Sequence, residues 1–296
     1  MSTAAKAAKA DKPRTFLQEL VEVVTTVVYA LLIALVLRVV LFQPYTIPSA
    51  SEEPNLYRGD YIIVSKWSYG WSQKSVPFAD LYNPIFHGRL LFTPPRRGDV
   101  IVFKLPRDGH TDYIKRLVGL PGDRIQVISG QLYINGKAVK ETVDGTPTPP
   151  RGIEEPDSVR KVIETNPEGR RYVTQVYAPT EDRPGDNTGV YVVPPHCYFM
   201  MGDNRDNSDD SRFDPGLTPD DPKLGGCAWD ANLDKLAGGG FGVGFVPEDN
   251  LVGKAQVVLL SWNTGPLEEQ PAGASIFKPW TWITEARPGR FFKLVK

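Results

Sequence analysis

The chain has 296 residues, enough for one large domain or two modest ones around a substantial core, which excludes disorder as its main state. Its 34 Lys+Arg against 35 Asp+Glu leave a net charge of −1, so no global basic field exists for wrapping nucleic acid, and no nucleic-acid partner is expected. With Gly 27 and Pro 27, above the ~12% of combined average usage, the composition favours many turns between short strands, and the expected fold class is mainly β. Cys197 and Cys227 are the two cysteines. They rule out a disulfide scaffold and a C-x-x-C metal or redox site, and their spacing leaves open whether they pair.

The first element is apolar. From Val23 to Phe42, VVTTVVYALLIALVLRVVLF gives 20 residues with one charge, Arg38, near the far end. That length crosses a bilayer as a helix, and Arg38 is close enough to the end for its stem to snorkel to the interface. Lys6, Lys9, Lys12 and Arg14 precede the run, whereas Arg58 alone occupies the next 20 residues. This asymmetry directs the amino terminus to the cytoplasm and everything after Phe42 to the outside. The expected organisation is a cytoplasmic segment 1–22, a single transmembrane anchor 23–42 and an exported domain 43–296, with the lipid bilayer as a partner. A cleaved secretory signal competes with the anchor, because Ser49, Ala50 and Ser51 follow the run. The run is longer than the usual ~7–15 residues of a signal core, and Pro44 and Pro48 intervene before the small residues. It is apolar on every face, which argues against a soluble amphipathic helix.

Beyond the anchor, short apolar runs alternate with turn clusters. Tyr61 to Lys66, Val100 to Leu105 and Asp112 to Val118 read as strands, the last closed by Pro121-Gly122-Asp123. Arg124 to Ile128 and Gln131 to Ile134 flank Ser129-Gly130, and Asn135-Gly136 is a tight-hairpin pair, so a β-meander is expected. Residues 139–186 are rich in Pro, Glu and Arg with one strand-like stretch, Arg171 to Tyr177, and read as an inserted smaller β subdomain. Val190 to Val193, Tyr198 to Met201 and Leu251 to Trp262 read as further strands. The Gly-rich stretch 213–245 reads as a long loop. The tail offers Phe277, Trp280, Trp282, Phe291 and Phe292, which suit either a membrane interface or a core strand.

Several chemistries are excluded first. His87, His110 and His196 stand alone, with no paired Cys/His or carboxylate spacing, so no metal and no cofactor is expected. The acidic stretch Asp203 to Asp210 fails as a calcium loop, because Arg205 and Ser208 stand where a ligand and a glycine are needed. There is no G-x-S-x-G elbow and no phosphate-binding glycine loop.

Three segments remain: Pro48 to Leu56 (PSASEEPNL), Asp112 to Asp123 (DYIKRLVGLPGD) and Gly202 to Arg212 (GDNRDNSDDSR). In order and in pattern they resemble the motifs of the type I signal peptidases, bacterial serine endopeptidases that use a Ser/Lys dyad. The single anchor resembles members with one span rather than two. The resemblance implies a signal-peptidase-like β domain that removes signal peptides from exported preproteins through an acyl-enzyme, on the outer, periplasmic side of the inner membrane. By motif position, Ser51 corresponds to the nucleophile, Lys115 to the general base, Ser49 to a helper of the oxyanion hole and Ser208 to the hydroxyl that orients the lysine. Asp210 and Arg212 correspond to a structural ion pair, with Asp203 and Arg116 beside the site. The resemblance also places Ile47, Pro48, Leu56, Tyr113 and Ile114 around pockets for small substrate side chains.

The physical logic is that a serine hydroxyl is a poor nucleophile until a base takes its proton. Lysine titrates near 10.4, so freeing the amine at pH 7 costs about 4.6 kcal/mol, which burial can remove. The two-residue strand period puts Lys115 on one face with Tyr113 and Leu117. By residue type alone it would be read as a surface lysine. Ser51, nine residues past Phe42, is tethered within about 30 Å of the anchor.

Two residues depart from the family pattern, which usually has Gly and Met around the nucleophile: Ala50 and Glu52. Positive φ at position 50 would cost alanine around 1 kcal/mol. A carboxylate at position 52 near Lys115 would favour its charged form, so Glu52 is expected to face solvent or to pair with an arginine. A non-catalytic membrane-tethered β domain is the alternative that Glu52 motivates. Self-cleaving repressors with a similar Ser/Lys pair would need a DNA-reading helix-turn-helix where the apolar run stands.

Overall fold

The computed structural model describes residues 15–75, 88–153, 158–177, 183–218, 221–228, 242–263 and 279–296. The four cations expected to face the cytoplasm, residues 219–220 and 229–241 of the Gly-rich loop, His87 and Phe277 lie outside the described residues. Helix α1 spans Phe16–Val40. Its stretch Phe16–Arg38 has a mean hydropathy of 2.6 and buries nothing against the rest of the chain, so one helix fits a single-pass membrane anchor. It starts before the expected Val23 and stops short of Phe42, which has already entered a strand.

The rest is mainly β. In chain order the strands are β1 (Phe42–Thr46), β2 (Asp60–Ser65), β3 (Trp71–Ser72), β4 (Arg89–Leu90), β5 (Val100–Lys104), β6 (Asp112–Gly119), β7 (Arg124–Ile128), β8 (Gln131–Ile134), β9 (Lys137–Ala138), β10 (Lys140–Val143), β11 (Val159–Thr165), β12 (Arg171–Tyr177), β13 (Tyr191–Val192), β14 (Cys197–Met201), β15 (Val246–Pro247), β16 (Leu251–Ser261) and β17 (Lys293–Leu294). The main sheet runs β1-β2-β16-β5-β6-β14-β15, with β17 also on β16. Three smaller sheets order as β13-β7-β8-β9, β10-β11-β12 and β3-β4. The described parts of the Pro/Glu/Arg-rich stretch thus supply a three-stranded sheet of their own.

Local chemistry explains most of these elements. β5 alternates nothing and is buried on both faces, consistent with its central place. The hairpin tips Ser129-Gly130 and Asn135-Gly136 all have positive φ, the conformation a two-residue turn needs to match strand twist. At Pro121-Gly122-Asp123, Gly122 has φ 87° and the Asp123 carboxylate accepts the Leu120 amide at 2.7 Å, which turns the chain from β6 to β7. Strand β1 escaped the sequence pattern because FQPYT carries a proline, tolerated here at the sheet edge. Strand β11, VRKVIET, escaped because its charges mask the alternation, and Glu164 is nevertheless buried.

Two long-range ties hold the β region together. Cys197 and Cys227 form a disulfide, linking β14 to a point within the Gly-rich stretch 213–245. The C-terminal tail straps back onto the loop between β1 and β2. Arg290 Nε donates to Asp60 Oδ1 at 2.9 Å and Nη2 to the Asn55 carbonyl at 2.9 Å, while Arg287 Nη1 donates to the Arg58 carbonyl at 2.7 Å. The tail aromatics divide: Phe291 and the half-exposed Trp282 pack against the Trp262 ring, whereas Trp280 and Phe292 stay exposed.

The disulfide closes a loop of sequence separation 30, which in the chain-entropy account stabilises by about 3–4 kcal/mol. Replacing Cys227 with Ser should lower the unfolding free energy by that order, seen as a fall in the denaturant midpoint, and an unchanged midpoint would show that the bridge adds no stability.

Candidate active site

The loop Ile47–Gly59 leaves β1 and returns to β2, and its first turn carries Ser51. The Glu53 amide donates to the Ala50 carbonyl, and the Asn55 and Leu56 amides both donate to the Glu52 carbonyl, so residues 50–56 wind into a tight turn. Ala50 lies outside the left-handed region, so the strain anticipated there is absent. The turn is fixed from the other side by Asn204, whose amide donates to the Ser51 carbonyl at 3.1 Å and whose side chain donates to the Ala50 carbonyl at 3.3 Å.

Lys115 projects from β6, opposite Ile101 of β5. Its Nζ lies 2.6 Å from Ser51 Oγ and donates to the Ile114 carbonyl at 3.0 Å. Lys115 is only 3% exposed and Ser51 8%. The Tyr113 ring centre is 5.6 Å from the amine, on the face that strand alternation assigned to it. Burial lowers the Lys115 pKa from its ordinary value, against the pull of the Glu52, Asp210, Asp209 and Asp203 carboxylates. Ser49 Oγ is 3.3 Å from Ser51 Oγ.

Charged pairs build the wall behind these residues. Arg116, the next residue on β6, forms a two-pronged bond to Asp203 at 2.6 and 2.7 Å, with both side chains fully buried. Asn55 adds a bond to Asp203 Oδ2 at 2.7 Å, coupling the loop that bears Ser51 to that pair. Arg212 bonds Asp210 at 2.9 Å through two nitrogens. Burial works to raise the Asp210 pKa, but the Arg212 guanidinium and the Gly202 amide hold it below the ordinary carboxylate value. Arg205 pairs with Glu164 of β11 at 2.7 Å and donates to the Gly202 carbonyl at 3.1 Å.

Among the residues singled out from sequence, Ser49, Ser51, Lys115, Arg116, Asp203, Asp210 and Arg212 are thus brought together. Ser208 lines the same cleft, but its Oγ is buried without a hydrogen-bond partner and does not bond Lys115. Pro48, Tyr113 and Ile114 line a cleft of about 550 Å³. Ile47 and Leu56 do not line it. They pack in the core with Ile62, Val64 and Val102, since the turn directs them beneath the sheet. Glu52 corrects the expectation that it faces solvent or an arginine: it is 1% exposed, and neither carboxylate oxygen has a partner within hydrogen-bond geometry. Sequence reasoning did not assign Asn55, Asn204 or the Arg205–Glu164 pair. Asn204 and Arg205 sit inside the third motif, whereas the reach of Asn55 and Glu164 depends on the fold.

The open edge of β6 completes the cleft. Strand β14 pairs with β6 only from Arg116 to Gly119, leaving Asp112 to Lys115 unpaired on that side. A buried hydroxyl–amine pair beside an unpaired strand edge defines a serine hydrolase site suited to an extended peptide. The sequence model of the family described as "Signal peptidase, peptidase S26" matches residues 20–262. The signal peptidase I of Rickettsia typhi is 37% identical over 271 residues, 90% of each chain, and that of Rickettsia prowazekii 36% identical over 271 residues with the same coverage. A crystal structure of a signal peptidase I from Enterococcus faecalis is 23% identical and covers 55% of this chain and 97% of its own, at a TM-score of 0.27, too low to bear on the fold. The chain belongs to the signal peptidase S26 family.

Breaking a fully buried ion pair from one side costs about 3–5 kcal/mol, because the remaining charge is left without a counter-charge. Asp203→Asn should destabilise by that order in equilibrium denaturation, and a loss below about 1 kcal/mol would show that Arg116 finds another partner.

Proposed function

We propose that this chain is a membrane-anchored serine endopeptidase that removes N-terminal signal peptides from exported preproteins, with Ser51 as nucleophile and Lys115 as general base. The observation that carries the residue roles is the 2.6 Å separation of Ser51 Oγ and Lys115 Nζ within a buried setting. A lysine kept from water loses its proton more readily and is then able to accept one from the serine. No observation favours the non-catalytic alternative.

In this reading the preprotein lies extended along Asp112 to Lys115, adding a strand to β6, with Pro48, Tyr113 and Ile114 shaping pockets for small side chains before the cut. Ser51 Oγ attacks the scissile carbonyl carbon as its proton passes to Lys115 Nζ. The Ser51 amide and the Ser49 hydroxyl receive the developing oxyanion. The carbon–nitrogen bond then breaks, and the Lys115 ammonium returns its proton to the departing amine, which becomes the new amino terminus of the mature protein. The signal peptide remains as an ester on Ser51. Water, deprotonated by Lys115, attacks the ester; the bond to Ser51 Oγ breaks, the Lys115 ammonium returns the proton to that oxygen, and the signal peptide leaves with a new carboxylate. The steps need no metal and no cofactor.

The anchor sets where this happens. The Lys/Arg excess before α1 supports a cytoplasmic amino terminus and an exported domain. The Cys197–Cys227 disulfide supports the same side, since such bonds persist in oxidising compartments such as the periplasm. Together they favour a single-pass protein of the inner membrane with the cleft facing outward. Its domain plan is a cytoplasmic segment, the anchor and a catalytic β domain carrying the 139–186 insertion.

Ser51→Ala and Lys115→Met should each lower preprotein cleavage in detergent by about 10⁴-fold or more while circular dichroism stays unchanged. Retained cleavage in either variant would refute the dyad. In the unmodified enzyme kcat/KM should rise with pH, because the amine form is the active one. Since burial lowers the Lys115 pKa, the midpoint of that rise should fall below the ~10.4 of a free lysine.

A further inference from the structure

Glu52 adjoins the nucleophile, and nothing in the mechanism above uses it. Its side chain is 1% exposed, and both carboxylate oxygens lack a hydrogen-bond partner. A solvated carboxylate would have no reason to turn inward, and a structural one would be bonded.

The surrounding charges explain its state. Arg116 is matched by Asp203, Arg212 by Asp210, and Arg205 by Glu164. Each pair cancels. Lys115, Glu52 and Asp209, among the described ionisable groups around Ser51, stand outside such pairs; Asp209 is exposed, whereas Lys115 and Glu52 are buried. Burial and then the Asp203 carboxylate, from the segment after β14, oppose ionisation of Glu52, while Lys115 and Arg116, both from β6, and the nearby Asp203 backbone amide favour it. On the Lys115 side, Glu52 is the foremost of the carboxylates that favour the ammonium, ahead of Asp210, Asp209 and Asp203. Burial pushes the carboxyl well up and the amine down, so the two titrations converge. No salt bridge joins them, and the Lys115 amine is directed to Ser51 instead.

We infer that Glu52 is a positioning residue for the proton of the dyad: its carboxyl and the Lys115 amine hold one proton between them, and the share that Glu52 keeps sets how much of Lys115 is free to activate Ser51. The exchange is balanced, with Glu–COOH and Lys–NH2 on one side and Glu–COO⁻ and Lys–NH3⁺ on the other. Only the first state attacks. An ionised Glu52 therefore holds Lys115 charged to higher pH than burial alone would.

The inference rests on the Ser51/Lys115 reading, and the same preprotein assay separates the two, since activity in Ser51→Ala refutes the dyad whatever Glu52 does. With the dyad intact, Glu52→Gln should remain active with the acid limb of kcat/KM moved down by about 1–3 pH units. Glu52→Met, which removes both charge and hydrogen-bonding capacity, should move it in the same direction. An acid limb unmoved in both active variants overturns the inference, as does a folded but inactive Glu52→Gln. A measurement on the unmodified chain guards against misfolded variants. With carbon-13 in the glutamate carboxyls, a resonance separate from that of Glu141, which burial raises to about 7, should titrate together with the acid limb. If every glutamate other than Glu141 ionises near the ordinary value of about 4.3, the shared proton does not exist.

Discussion

The site depends on keeping a lysine amine out of water without placing a fixed counter-charge on it. Dry protein disfavours any isolated charge, so a buried lysine with no committed carboxylate tends toward the neutral form that a general base needs. The three buried arginines beside it each carry their own carboxylate, which stops their fields from accumulating at the amine. Those pairs also provide rigidity. Asp203 holds Arg116 on β6 and Asn55 on the nucleophile loop, so one carboxylate fixes the spacing between the strand that bears Lys115 and the turn that bears Ser51.

The scaffold adds a second constraint. A strand must be paired or covered, yet β6 is left open over the four residues that end at Lys115. The edge is short and recessed, with residues 48–51 on one side and 205–209 on the other. The opening is thus too confined to invite pairing with a second sheet, and the free backbone groups of β6 lie next to the Ser51 and Lys115 side chains.

Much of this was legible from residues alone. The hairpin runs around Ser129-Gly130 and Asn135-Gly136 could be read because their turn chemistry is local, and β12 because its aromatic and β-branched residues alternate. Ser51 and Lys115 could be read because they lie in two short motifs whose spacing is preserved. What escaped reading depends on tertiary burial. Glu52 looks like a surface residue in a Ser/Pro-rich linker, and only the turn at Ala50–Leu56 and the packing of Asp203 and Arg116 reveal that it is interior. Ile47 and Leu56 look like pocket residues beside the nucleophile, but the same turn rotates them into the core. Glu164 resembles a solvated strand residue until Arg205 arrives from 41 positions away.

The strap formed by Arg287 and Arg290 has a consequence for folding order. Arg290 reaches Asp60 and the Asn55 carbonyl across 230 and 235 positions, whereas the turn at residues 50–56 closes on its own local bonds. Contacts of such long sequence separation are the slow ones to form. The loop that carries Ser51 can therefore take its local shape early, but it is fastened to the body of the domain only when these two distant stretches meet.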